Sequence, residues 1–260
     1  MVGPSTLSTA MGCPRRFRTL IEHLHQHQGP PRQDRRGGND DHQREGLLLE
    51  SILQFIAVGQ DLPGERNLSA IEDRYDLVLE TLANLKHPGT PFSREHADAL
   101  LVKPSNARSL VGHSVADLVS KMEESMTQFL YYIEDNGLEN CRWECEVDVE
   151  GVIATPFGEV DAGGRIDLLC HKEDKLLVIE IKKRVRHEES DQIQAQFYAQ
   201  LLGFDDCQIS VINAGNCEDP KPAQAVRFPF GPEDGNLTVP NSTNCNHCHD
   251  VFCTERFSGH

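Results

Sequence analysis

Asp167, Glu180 and Lys182 lie in two short stretches where charge interrupts an apolar pattern. The first, Gly163-Gly-Arg-Ile-Asp167-Leu-Leu169, reads as a strand entered from a glycine turn. The second, Leu176-Leu-Val-Ile-Glu180-Ile-Lys182-Lys183, is a run of branched apolar residues, the pattern of a buried strand. Strand side chains alternate between faces, so Glu180 and Lys182 point the same way. Burying a carboxylate and an ammonium together is costly without compensation. Set opposite Asp167 of a neighbouring strand, the pair reads as a metal site rather than as an exposed Glu–Lys contact. Two carboxylates and the Ile181 backbone carbonyl suit a hard divalent cation, Mg2+ or Mn2+. With Lys182 placed to orient or deprotonate a water, this is apparatus for hydrolysing a phosphodiester.

A helix is expected directly after these strands. Over Asp191 to Gly203, Ile193, Phe197 and Leu201 recur on one apolar face, and Gln194 and Tyr198 share the adjoining one. The order Asp167, short turn, Glu180-x-Lys182, helix resembles the PD-(D/E)xK nuclease superfamily. Gln194-x-x-x-Tyr198 after it resembles the RecB-like branch, in which these two residues help to position the substrate strand and the catalytic centre. The resemblance implies an α/β fold: a restriction-endonuclease-like mixed β-sheet core flanked by helices, with a helical insertion. It also implies an earlier His or Glu on a helix after a Gly-x-x-x pattern. Gly46-Leu-Leu-Leu-Glu50 fits, with Glu where many relatives have His, on a helix whose apolar face is Leu48, Ile52, Phe55 and Ile56. Glu50 would then join Asp167, Glu180 and the Ile181 carbonyl at the metal.

Cysteine usage carries a second, independent signal. The chain has nine Cys. The segment before Cys13 lacks the apolar run of a secretory leader, and no stretch reaches transmembrane length; the expectation is a cytoplasmic protein with no membrane attachment. In a reducing compartment, clustered cysteines bind metal more often than they pair. Cys245-Asn-His-Cys248-His-Asp-Val-Phe-Cys253 offers three thiols; read alone it is a zinc knuckle taking His247 or His249 as fourth ligand. Cys13-Pro-Arg-Arg-Phe17 resembles the start of one RecB-like group, which includes the CRISPR-associated exonucleases of the Cas-four type and the nuclease domain of AddB. That resemblance implies a [4Fe–4S] cluster held by Cys13, Cys245, Cys248 and Cys253, a metal cluster joining the termini across the core. Four residues separate Cys248 from Cys253, one fewer than is usual in that group, which keeps Zn2+ as the alternative.

Four segments are expected to position these groups. Residues 1–45 carry Cys13, a short helix from Phe17 to His25 and a flexible Gly/Pro-rich loop. Residues 46–140 form a helical region bearing Glu50, with helices over 71–85, from a Ser93 cap to 101, and over 114–134. Residues 141–232 form the nuclease core, with strands near 141–149, 164–171, 175–183, 208–213 and 225–230. Residues 233–260 bring the cysteine cluster. Trp143 is expected to pack rather than to stack on bases, and Arg165 to pack or to support the site.

A hydrophobic share of 38% and a charged share of 25% suit a soluble domain with a core of its own. The net charge of −16 taken alone opposes a nucleic-acid partner. Its distribution does not: Arg15, Arg16 and Arg18 cluster beside Cys13, and Lys182, Lys183, Arg184 and Arg186 follow Glu180, where a phosphate backbone would pass. With the resemblance, the residues imply a metal-dependent DNA nuclease, a single-strand exonuclease acting on single-stranded or frayed DNA ends. The length and the absence of a Walker A loop favour the stand-alone Cas-four type, which works with CRISPR integrase proteins in spacer acquisition. A DNA repair or recombination nuclease is equally compatible with these residues. Two rivals remain: a nucleic-acid-binding protein with a vestigial site, and a zinc-stapled restriction-type endonuclease.

Overall fold

The computed structural model describes residues 1–27, 40–59, 70–100, 102, 104–182, 188–203, 206–213 and 216–236. Helices α1 (Pro4–Ala10), α2 (Pro14–His27), α3 (Asp40–Val58), α4 (Ile71–Ala83), α5 (Arg94–Ala99), α6 (Pro104–Leu110) and α7 (Ala116–Asp135) precede the strands β1 (Arg142–Thr155), β2 (Gly158–Lys172) and β3 (Lys175–Lys182). Helix α8 (Glu188–Leu201) leads to β4 (Cys207–Asn213) and the two-residue strands β5 (Asn216–Cys217) and β6 (Lys221–Pro222). The sheet runs β1–β2–β3–β4–β5, with β6 also on β4. Only β3 and β4 pair in parallel among these strands, and α8 is the crossover that a parallel pair requires. This is a mixed α/β sheet flanked by helices.

The two faces of the sheet are covered differently. Leu177, Ile179 and Ile181 of β3 and Ile212 of β4 pack with α3, α4 and α7 in one core. Val178 and Ile209 pack with Ala195, Tyr198 and Ala199 of α8 in another. Helix α3 is apolar on most sides, as a helix clasped between a sheet and other helices must be. Its last turn is closed by a buried arginine of α4: Arg74 donates to the carbonyls of Ile56 (2.7 Å) and Ala57 (3.0 Å), which the helix itself leaves unpaired. The Ser93 cap forms with His96 as its reciprocal partner.

Strand β2 is where regular pairing fails. Its antiparallel ladder to β3 runs from Lys172↔Lys175 to Leu168↔Ile179 and stops, although both strands continue. Further along the same edge, Val2 takes its place: the Val2 N–H donates to the Asp161 carbonyl (2.9 Å) and Gly163 N–H to the Val2 carbonyl (3.0 Å). Between them β2 and β3 fork around Gly164 to Asp167. On the other edge, the β1 ladder skips the pair Glu146–Asp167, and Glu146 has a left-handed φ of 55°. Trp143 and Cys145 pack in the core of α3, whereas Val147 and Val149 pack in that of α8. Residues two apart on a regular strand share a face, so β1 turns over at Glu146. β2 does the same at Asp167, between Leu168 and Ile166.

Several expectations are corrected. Residues 225–230 form no strand. The edge of β4 is already taken by β5 and β6, Pro229 lacks a donor, and the phenylalanines are engaged elsewhere. Phe228 and Phe230 lie 5.3 Å and 5.5 Å, ring to ring, from Phe17 of α2. β1 and β2 are longer than expected, joined through Pro156-Phe157, and α1 and α6 were not anticipated. The Gly/Pro-rich loop lies mostly outside the described residues, as do Lys183, Arg184, Arg186, Cys245, Cys248 and Cys253. No helix among the described residues is long and apolar enough to cross a membrane.

Candidate active site at the fork of the sheet

The fork leaves main-chain groups without a strand partner, and side chains take them. The Asp167 carboxylate (Oδ2) accepts the Ile181 N–H at 2.8 Å. The Asp167 carbonyl accepts Nε2 of Gln54 from α3 at 3.2 Å. A strand residue presents its N–H and C=O to the same edge, so the Ile181 carbonyl faces the same opening as Asp167. Close approach explains the glycines before Asp167. A Cβ on Gly164 would sit 3.0 Å from the Tyr198 hydroxyl and 3.1 Å from Pro4 Cδ, and one on Gly163 would sit 2.9 Å from the Val149 carbonyl.

Glu180 and Lys182 face α8, where Gln194 meets them. Oε1 of Glu180 accepts from Lys182 Nζ and, at 2.8 Å, from Gln194 Nε2. Lys182 also donates to Gln194 Oε1 at 3.1 Å. Gln194 thus spends both ends of its amide on the charged pair. The other oxygen, Glu180 Oε2, is buried with no hydrogen-bond partner among the described residues, on a residue that is 3% exposed. Tyr198 is buried one turn along α8 and packs against Ala195 and Ala199.

Burial pushes the carboxyl of Asp167 well above the usual range, and the charges of Glu180 and Glu50 push it further, against the pull of the Ile181 N–H and Lys182. Burial also raises Glu180, with Lys182 opposing. Burial disfavours the Lys182 ammonium, but Glu180 and Asp167 outweigh it and hold the lysine above its ordinary value. Glu50 of α3 therefore acts electrostatically on both carboxylates, and so does Asp191 of α8 on Glu180 and Lys182.

An ion fits this chemistry. A buried carboxylate oxygen without a donor, beside a second carboxylate that burial makes reluctant to ionise, is relieved by a hard cation. Among the described residues no three His, Cys, Asp or Glu side chains converge closely enough to coordinate one ion as they stand. Asp167 is turned onto the Ile181 N–H and Glu180 onto Lys182 and Gln194.

Hydrogen bonds bring Asp167 to Ile181 and Glu180 to Lys182 and Gln194, Tyr198 lies close to Gly164, and Glu50 is near enough to act electrostatically on both carboxylates. Sequence reading did not identify Gln54, Asp191 or Glu146. The first two had a usable signal: Gln54 is four residues from Glu50 and Asp191 three from Gln194, spacings that share a helix face. Arg165 does not pack; it is exposed and reaches Glu146 at 3.4 Å. Arg16 is only 6% exposed, and Arg18 pairs with Glu22 at 2.7 Å, so the N-terminal arginines are not an open basic patch. Cys13 is buried at the start of α2, where its carbonyl accepts the Phe17 N–H. Trp143 packs edge-on against Phe129, its indole N–H donating to the Leu138 carbonyl.

The model of the PD-(D/E)XK nuclease superfamily matches residues 2–228 of this chain. No curated protein matches it. Among solved structures, the crystal structure of SSO0001 is similar at 12% identity and a TM-score of 0.32, over 70% of this chain and 96% of that one, a likeness too slight to bear on fold or function.

Proposed function

The chain belongs to the PD-(D/E)XK nuclease superfamily, and on that premise we propose that it is a divalent-metal-dependent deoxyribonuclease. The observation that carries the reading is Glu180: one oxygen is held by Lys182 and Gln194, and the other is buried without a donor among the described residues. Asp167, Glu180, the Ile181 carbonyl and Glu50 would hold Mg2+ or Mn2+. Such an ion supplies Lewis acidity, drawing charge from a phosphoryl oxygen and lowering the pKa of water. Lys182 already donates to Glu180 and Gln194, and of its two expected roles we propose that of the donor. It orients the attacking water and meets the negative charge that grows on the phosphate. Gln194 keeps Glu180 and Lys182 in register, and Tyr198 supports Gln194 and packs closely on Gly164, which lies within β2 and not in a turn as expected.

The substrate we propose is DNA, single-stranded or frayed at an end, cut as an exonuclease. The cellular setting is CRISPR spacer acquisition beside the integrase proteins, or DNA repair. Cys13 with Cys245, Cys248 and Cys253 would hold a [4Fe–4S] cluster tying segment 233–260 to segment 1–45, with Zn2+ as the alternative. Protein purified without oxygen should be brown and contain iron and sulfide; a colourless protein containing zinc rejects the cluster.

Labelled single strands incubated with Mn2+ test the activity. The wild-type protein should release short products from an end, and Asp167→Ala should abolish this while still binding the strand. A wild-type protein that binds DNA yet cuts with no divalent metal is a vestigial binder, and the proposal fails.

A further inference from the structure

Gln54 is a polar residue on a helix otherwise built, at this level, from buried Leu53, Phe55 and Ile56, and it is itself 9% exposed. An amide buried in such a place is unfavourable unless it is hydrogen-bonded. Its partner is the main chain of Asp167, across 113 residues of sequence. Asp167 lies where the β1–β2 ladder lacks the Glu146–Asp167 pair and where β2 and β3 diverge. Glu50 lies four residues earlier on α3, so the two side chains rise from the same side of the helix, roughly 6 Å apart along its axis. α3 also meets the sheet through apolar side chains, which tolerate sliding and rotation better than a directional hydrogen bond does.

We infer that Gln54 is a positioning residue for the metal site: by gripping the Asp167 carbonyl it sets the spacing between α3 and β2 at which Glu50 can share an ion with Asp167 and Glu180. The inference rests on the metal-dependent reading above. It assigns Gln54 no contact with metal or substrate. Its effect passes through Glu50, which distinguishes it from a contact that only packs the helix. A contact that only packs the helix would cost stability when lost, because the Asp167 carbonyl is left without its donor, but it would leave the affinity for an ion unchanged.

Calorimetric titration of the full chain with MnCl2, without DNA, tests this, with urea denaturation of the same samples. The variants are Gln54→Leu, Gln54→Met, Glu50→Gln and the double variant Glu50→Gln/Gln54→Leu. Gln54→Leu and Gln54→Met should bind Mn2+ about tenfold more weakly, the scale seen when a residue that orients a metal ligand is lost, in addition to any fall in urea midpoint caused by the carbonyl left without its donor. In the Glu50→Gln background, Gln54→Leu should add no further weakening, because the two act as one unit. The inference is overturned if both apolar variants bind Mn2+ like wild type. It is overturned equally if Gln54→Leu weakens binding as much without Glu50 as with it, or if the variants lose stability and not affinity. A wild-type protein that takes up no Mn2+ sinks the metal-dependent reading itself, and this inference with it.

Discussion

The two halves of β3 are one strand in sequence and two environments in space. From Leu176 to Ile179 it is paired on both edges, to β2 and to β4, and its side chains fill both cores. From Glu180 to Lys182 it is paired only to β4, and its outward groups meet side chains instead of a strand. In the first half the ladder satisfies the backbone, so apolar side chains suffice. In the second, Asp167 and Gln194 must supply what β2 withdraws, and those same polar groups form the candidate site. A local failure of strand pairing is what allows two carboxylates and a lysine to be buried together.

Substitutions in the two halves should therefore separate activity from stability. The largest effect is expected in the open half. Asp167→Asn should slow cleavage of a labelled single strand on the order of 10^3-fold, the scale of removing one preorganised charge from a catalytic centre, without lowering the melting temperature of the metal-free protein at neutral pH. Cleavage near the wild-type rate would break the comparison. In the paired half, Ile179→Ala removes a fully buried side chain and should cost about 3 kcal/mol in urea denaturation through the cavity it leaves. An equal loss from both substitutions would show that the fork is an ordinary part of the core.

The pH dependence sharpens the same contrast. Asp167 has a raised pKa in the folded chain, so its contribution to stability is fully present below the ordinary carboxylate range and is lost as pH rises through the raised value. Metal-free wild type should therefore lose melting temperature over that rise, and Asp167→Asn should lose less. Mn2+, which favours the ionised carboxylate, should stabilise the wild type more above this window than below it. A Mn2+ shift that is constant with pH contradicts the assignment. The smallest effect is expected at the turnover of β1. Glu146→Gly should gain up to about 1 kcal/mol by relieving a left-handed φ, less the weak pair with Arg165. A clear loss would mean that the side chain, rather than the backbone, shapes this turn.

Most of the helices and the strands around Glu180 were legible because their signals are local. Ser93 caps its helix as its type predicts, and the branched run 176–182 alternates between two cores as a buried strand should. Residues 225–230 misled because alternating apolar residues mark a strand only where an edge is free to receive one. Here the phenylalanines satisfy their burial against Phe17 instead. Arg165, expected to pack or to support the site, does not pack: it is exposed and reaches Glu146 at the turnover of β1. The short α1 carries too few residues for a periodic pattern, and what docks it is its packing against α8 together with Val2 on β2, contacts far away in the chain.

The amino-acid sequence by itself determined which chemical groups the proposed site would draw on and the order in which they arrive: Glu50 on a helix, Asp167 and Glu180-x-Lys182 on strands, Gln194 and Tyr198 on the helix after them. Residue type and short-range periodicity carry that much, because helix and strand repeat over a few residues. Only the tertiary structure decided that β2 and β3 part company at Asp167, that Gln54 takes the carbonyl there, and that one oxygen of Glu180 is left without a donor among the described residues. Each depends on which distant segment arrives to satisfy a buried polar group, and no local pattern encodes that.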